Sequence, residues 1–210
     1  MKLTLPEGPF KAYLFDCDGT ITDSMPLHYV AWKKALDECG CAFPEDVFYA
    51  WGGMPAAEIV ATLSVQQGLA LDAEAVAHRK EQLYYEMLPQ LQAVPEVLAE
   101  ITRNFALGSA RIPMAVVSGS TRESVTRSLE ILGILDRFET LVCAGDYTKS
   151  KPDPEPFLLA AERLGVAAKD CLVFEDTEMG IQSATASGMA SIKILQPWER
   201  EKFSVASSGN

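Results

Sequence analysis

Five short apolar runs constrain the fold of this chain more than any other feature of its sequence. Each run has the length of a β-strand and is bounded by turn-forming or polar residues. Most are apolar on successive residues rather than on alternate ones, a pattern typical of strands buried on both faces of a parallel sheet. The predicted strands are Ala12–Asp16, Met114–Ser118, Thr140–Ala144, Cys171–Glu175 and Ser191–Leu195.

Helix-like segments separate the last four of these runs, and each stops at or next to a glycine, a common helix terminator. The predicted helices are Thr121–Leu132, Pro154–Leu164 and Asp176–Ser187. Alternating strands and helices of these lengths predict a Rossmann-like, doubly wound α/β sheet.

Residues 26–93, called the helical segment below, break this alternation because they contain no strand-like run. Their apolar spacing predicts helices over Leu27–Cys39, Pro55–Gln67 and Ala73–Leu88. We therefore predict a small all-helical domain, residues 26–93, inserted into an α/β core formed by residues 1–25 and 94–210. The last dozen residues are predicted to form a frayed tail.

The formal net charge of −11 at pH 7 makes the chain strongly acidic. Such a field repels nucleic acid and anionic membranes, so we expect neither as a partner. It also repels phosphate esters, so a phosphate site here needs a metal ion, a lysine or backbone N–H groups.

Other sequence features indicate the cellular compartment of the protein. The chain has no apolar run of about 18 residues, and residues 1–7 lack the apolar stretch of a signal peptide. The cysteines are odd in number without metal-finger spacing, so we expect reduced thiols. We expect a cytoplasmic protein, monomeric, with a dimer as the alternative.

The first strand ends in two aspartates, Asp16 and Asp18, followed by Gly19. Side chains two residues apart on an extended chain point the same way, so both acids can face one volume at the carboxyl end of the sheet. Two carboxylates held that close require a compensating cation. The alternative is an Asp-Gly turn with both acids in solvent.

The second strand ends at Ser118 and Gly119, just before a predicted helix. A hydroxyl group and backbone N–H groups at such a point can hold a phosphate. The alternative is simple capping of the helix by Ser120 or Thr121.

Two later strand ends carry further charged residues. Lys151 precedes Pro152, which stiffens the chain there, and the fourth strand ends in Glu175 and Asp176. A fixed ammonium can neutralise a phosphoryl group, and paired acids can bind a hard cation such as Mg²⁺. Taken singly, the alternatives are an exposed lysine and helix capping by Asp176. Because all four elements end successive strands, we predict one site.

These four elements resemble the motifs of the haloacid dehalogenase superfamily. The first motif, D-x-D-G-T/V, matches residues 16–20; the second, a serine or threonine after a strand, matches Ser118. The third matches Lys151-Pro152 and the fourth Glu175-Asp176, so the resemblance runs from about residue 12 to 195. The helical segment looks like the cap of the β-phosphoglucomutase and sugar-phosphatase branch.

The resemblance implies a magnesium-dependent phosphatase acting on a small phosphate monoester. Asp16 would be the nucleophile that forms an aspartyl phosphate, and Asp18 the general acid and base. Mg²⁺ would be held by Asp16, the backbone carbonyl of Asp18, and Asp176, with Glu175 binding directly or through water.

The resemblance also implies roles for residues around the substrate. Ser118, the Gly119 N–H and Lys151 would hold the phosphoryl oxygens. His28, Gly52 and Lys80 of the helical segment would contact the substrate or close over it. For each of these three, packing or an ordinary turn is the alternative.

Two departures from the mutase pattern favour hydrolysis. The mutase carries an arginine near the position of Met54-Pro55 and a Lys-Asn pair where this chain has Thr121-Arg122. A mutase needs this second anion clamp to hold a bisphosphate at either end. We therefore expect the partner to be a small phosphorylated metabolite such as a sugar phosphate. A sugar phosphomutase is the first alternative, and a non-catalytic binding protein is the second.

Overall fold

The computed structural model describes residues 3–52 and 54–196, and these residues form a five-stranded parallel sheet flanked by helices. The strands are β1 (Ala12–Phe15), β2 (Met114–Thr121), β3 (Thr140–Ala144), β4 (Cys171–Glu175) and β5 (Ala190–Lys193). Their order across the sheet is β3-β2-β1-β4-β5. The predicted α/β fold with a parallel sheet is therefore confirmed, and the predicted tail lies outside the described residues.

The ends of β2 and β5 differ from the predicted ends, because pairing with the neighbouring strand determines where each of them stops. β2 runs three residues past Ser118 because Thr121 still pairs with Ala144 of β3. β5 ends at Lys193, which pairs with Glu175 at the end of β4. A partner strand that ends removes the hydrogen bonds that would extend its neighbour, a constraint absent from the apolar pattern.

The sheet is buried on both faces, as the continuous apolar runs predict. Ala12 and Leu14 of β1 pack into the apolar cluster on one face, and Tyr13 and Phe15 pack into the cluster on the other. All four side chains are buried. Successive residues of a strand point to opposite faces of the sheet, and here both faces are covered by apolar side chains.

Four helices pack around the sheet: α5 (Pro95–Phe105), α6 (Arg122–Ile131), α7 (Glu155–Leu164) and α8 (Glu178–Ala186). The Thr121 and Thr177 side chains cap α6 and α8 by accepting N–H groups, so these helices begin later than predicted. The sequence pattern did not predict α5. Its first residue is Pro95, and proline is favoured at the start of a helix.

The helical segment contains α2 (Glu45–Ala50), α3 (Ala56–Gln67), α4 (Ala73–Met87) and all but the first residue of α1 (Met25–Asp37). The six-residue α2 was not predicted, since it is too short to show helical periodicity. These helices share an apolar cluster of their own, separate from the two clusters on the sheet. We propose residues 26–93 as an inserted domain, and residues 1–25 with 94–210 as the core domain.

None of the helices in the described part of the chain combines the length and the apolar character needed to cross a bilayer.

Two apolar residues of α6 provide a matched test of the packing in the core. Leu129 is fully buried against the sheet, whereas Ile131 on the same helix is 47% exposed. We expect Leu129→Ala to lower the free energy of unfolding by about 2–5 kcal/mol, because it leaves a cavity. Ile131→Ala should change it by less than about 0.5 kcal/mol. Urea denaturation measures both, and equal effects would contradict the packing described.

Candidate active site

The carboxyl ends of β2, β1 and β4 lie side by side and carry the predicted site residues. Phe15 pairs with Val116 on one side and with Phe174 on the other. Asp16 and Glu175 therefore come together at one edge of the sheet, as predicted from the order of the motifs.

Lys151 ties these strand ends together. Its Nζ donates to Asp16 Oδ1 at 2.6 Å, to Glu175 Oε2 at 2.7 Å and to the Val117 carbonyl at 3.0 Å. Burial alone would lower the pKa of Lys151, but the two carboxylates raise it above its usual value. The side chain is thus a fixed ammonium and not the exposed lysine of the alternative interpretation.

Three buried carboxylates meet at this ammonium. One oxygen each from Asp16, Glu175 and Asp176 lies within 4.8 Å of the others. Burial and the charge of Glu175 raise the pKa of both Asp16 and Asp176. One ammonium cannot balance three carboxylates, and hard oxygen ligands suit Mg²⁺. The donor set and its excess negative charge therefore fit a divalent cation.

Glu175 is oriented by the first turn of α8. Its Oε1 accepts from the Thr177 backbone N–H at 2.9 Å and the Thr177 hydroxyl at 2.8 Å. Gly180 on α8 leaves room for it, since a Cβ there would overlap the Glu175 carboxylate. Both Glu175 oxygens are therefore engaged by protein donors, Oε2 by Lys151.

Asp176 is held by two donors that come from distant parts of the chain. Thr20 Oγ1 donates to Oδ1 at 3.0 Å, and Gln196 Nε2 donates to Oδ2 at 2.8 Å. The same Gln196 amide donates to the Gly19 carbonyl at 2.8 Å. Gly19 has φ +88°, and a Cβ there would collide with Asp176. Our sequence interpretation missed Gln196 because no motif marks it.

Asp18 faces away from the carboxylate cluster and toward the helical segment. Its Oδ1 accepts from Ser24 Oγ at 2.7 Å and contacts His28 Nε2 at 3.2 Å, and its Oδ2 accepts from Ser120 Oγ at 2.7 Å. Burial alone would raise its pKa, but His28 and the hydroxyl donors lower it below its usual value. Asp18 is an ionised, well-oriented carboxylate. Ser120, predicted as a possible helix cap, instead donates to Asp18, and no sequence motif marked Ser24.

The second predicted motif lies beside Lys151. Ser118 is buried, and its Oγ accepts the Ser120 backbone N–H at 3.0 Å. Gly119 is exposed, so its backbone can be approached by a ligand. Thr121 caps α6, as one of the alternatives proposed, while Ser118 does not. A phosphate-binding role for Ser118 and Gly119 stays a prediction.

His28 and Lys80 lie above the strand ends and contact the same tyrosine. The His28 ring stacks on Tyr84 with ring centroids 3.9 Å apart. Lys80 Nζ lies 5.4 Å from the Tyr84 ring centroid and donates to Glu81 at 2.8 Å. Burial and the charge of Lys80 lower the pKa of His28, so the imidazole meets Asp18 as a hydrogen-bond donor rather than an ion-pair partner.

A cavity of about 370 Å³ opens between the helical segment and the core, close to the lower limit for small-molecule sites. Tyr49 and Gly52 line it on one side, and Asp176, Thr177 and Glu178 on the other. The predicted residue Gly52 thus faces a pocket that reaches the carboxylate cluster.

Comparison with known proteins identifies related chains. A family model described as haloacid dehalogenase-like hydrolase matches residues 13–194. The chain is 34% identical over 186 residues to fructose-1-phosphate phosphatase YqaB of Escherichia coli (strain K12), covering 88% of this chain and 96% of that protein. It is 31% identical over 193 residues to β-phosphoglucomutase of Bacillus subtilis (strain 168), covering 89% and 84%.

A solved structure shares the fold. The crystal structure of β-phosphoglucomutase from Clostridium difficile aligns with a TM-score of 0.79 and 24% sequence identity, covering 92% of this chain and 88% of that chain. At this level of identity the likeness concerns the fold alone, a parallel α/β core with an inserted cap.

Gln196 provides a test of how Asp176 is held. We expect Gln196→Leu to weaken Mn²⁺ binding about 10- to 100-fold, the usual cost of removing a residue that orients a metal ligand. Electron paramagnetic resonance titration of free Mn²⁺ measures this affinity without requiring turnover. Gln90→Leu, at an exposed glutamine, is the matched control and should bind Mn²⁺ normally. Normal affinity in Gln196→Leu would show that its amide does not orient Asp176.

Proposed function

The chain belongs to the haloacid dehalogenase-like hydrolase family, and on that premise we propose that it is a phosphatase that hydrolyses a small phosphate monoester. The observation that carries this proposal is the ammonium of Lys151, bound to Asp16 and Glu175 in a site with surplus carboxylate charge. Such a site combines a nucleophile with cationic help for a transferring phosphoryl group.

In the first step, an oxygen of Asp16 bonds to phosphorus while the bond from phosphorus to the ester oxygen breaks. Asp18 gives a proton to the departing alkoxide, which leaves as an alcohol. In the second step, Asp18 takes a proton from water as the water oxygen attacks phosphorus and releases the Asp16 oxygen. The products are inorganic phosphate, the alcohol and the original enzyme.

The environment of Asp18 suits the second step directly. Its hydrogen bonds keep it ionised in the free enzyme, which is the form that accepts a proton from water. The first step requires the protonated form. The negative charge of a bound phosphate ester raises the pKa of a neighbouring carboxyl group and so favours that form.

Magnesium is the cofactor we propose, held by Asp16, the Asp18 carbonyl and Asp176. When bound, it would reduce repulsion between Asp16 and the phosphate and help to align them. Glu175 would bind it directly or through water, while its two oxygens also accept from Lys151 and Thr177. Ser118, the Gly119 N–H and Lys151 would hold the phosphoryl oxygens.

A sugar phosphate is the substrate class that the relatives favour, since one is named a fructose-1-phosphate phosphatase and another a hexitol phosphatase. The similarity to a β-phosphoglucomutase keeps a mutase as the second candidate. Hydrolysis is preferred because residues 54–58 of the helical segment carry no arginine or lysine to grip a second phosphate.

Phosphate release from a panel of sugar and polyol monophosphates tests this proposal. We expect release with Mg²⁺, loss of release with EDTA, and recovery when excess Mg²⁺ is restored. Asp16→Asn should lower kcat by about 10⁴-fold or more, because it removes the nucleophile. Asp136→Asn, at an exposed aspartate, is the matched control and should be fully active.

Two results would contradict the proposal. Isomerised ester without phosphate release, seen only when a sugar bisphosphate is added, would establish the mutase. Undiminished hydrolysis by Asp16→Asn would remove Asp16 from the mechanism.

A further inference from the structure

Two buried polar atoms of the helical segment lack hydrogen-bond partners within residues 3–52 and 54–196. They are Nδ1 of His28 and Oε2 of Glu81. A buried polar atom without a partner costs free energy, and such atoms recur at binding sites where a ligand completes the bonding. His28 contacts the proposed acid-base residue Asp18 and stacks on Tyr84. Lys80, which binds Glu81, lies 5.4 Å from the centroid of the same Tyr84 ring, so both atoms lie around one tyrosine next to Asp18.

From these two atoms we infer that Glu81 is a specificity-determining residue that accepts a hydroxyl group of the substrate, and that the substrate is the monophosphate of a neutral polyol or sugar. The inference deepens the proposed function and rests on it. His28 Nδ1 marks a second point at which a polar atom of the same ligand can bind.

The chemistry of Glu81 selects what can bind there. An ionised carboxylate only accepts hydrogen bonds, so its unpaired oxygen requires a donor. Hydroxyl groups of a sugar or polyol are donors. A second phosphate or a carboxylate on the substrate would bring only acceptors at neutral pH, and would also meet the like charge of Glu81.

Glu81 also neutralises the cation that could otherwise bind such an anion. Lys80 is the one buried lysine or arginine among the described residues of the helical segment. Its Nζ donates to Glu81 Oε1 at 2.8 Å, and it lies 5.7 Å from the Trp32 ring centroid and 5.4 Å from that of Tyr84. Paired and enclosed in this way, Lys80 is not a clamp for a second anionic group.

The experiment compares kcat/KM for three kinds of ester with Mg²⁺ present. These are a set of hexose and hexitol monophosphates, 2-phosphoglycolate, and fructose 1,6-bisphosphate. The wild type should prefer its best neutral ester over both anionic esters by about 100-fold or more, the discrimination available to a site built to bind hydroxyl groups. Glu81→Gln should reduce this preference about tenfold, because it removes the repelling charge and leaves the charge of Lys80 unbalanced.

Glu86→Gln is the matched control, since it removes the same charge from an exposed position on α4. Circular dichroism melting checks that both variants fold. If Glu81→Gln does not fold, the kcat/KM values of the wild type for the three kinds of ester still test the inference. A wild type that prefers 2-phosphoglycolate or the bisphosphate would overturn the inference and leave the phosphatase proposal intact. Equal effects of Glu81→Gln and Glu86→Gln on the preference for neutral esters would also overturn the inference. Hydrolysis of none of the esters would overturn the phosphatase proposal, and the inference with it.

Discussion

The buried ammonium of Lys151 is the interaction on which the arrangement of the site depends. It joins the carboxyl ends of three neighbouring strands by contacting Asp16 after β1, Glu175 on β4 and the Val117 carbonyl on β2. Charges this deeply buried are tolerated only when paired and hydrogen-bonded. The lysine therefore sets where the carboxylates can lie, and with them the position of any phosphate.

The surplus of carboxylates around that ammonium explains the supporting contacts. Thr20 and Gln196 hold the two oxygens of Asp176, and the start of α8 holds Glu175. These contacts orient the acids toward a common point, where a divalent cation would balance their negative charge. Asp18 is separate from this cluster, and its bonds to His28 and Ser120 link the helical segment to the core.

Features that depend on local pattern were predictable from the sequence. The strands were predictable because both faces of the sheet are apolar. The convergence of Asp16 with Lys151 was predictable because each residue follows its own strand. Gln196 and Glu81 could not be found in this way. Gln196 acts on Gly19, 177 positions away along the chain. The importance of Glu81 lies in an oxygen without a partner, which only three-dimensional packing reveals.

The most direct test of the central claim is to locate the phosphoryl group on the enzyme during turnover. The protein with Mg²⁺ and its best ester would be quenched in acid within milliseconds, digested and analysed by peptide mass spectrometry. The mechanism predicts an acid-stable, base-labile phosphoryl group on Asp16, absent in Asp16→Asn. A phosphoryl group on any other residue would contradict it, as would rapid hydrolysis by wild-type enzyme that never carries one.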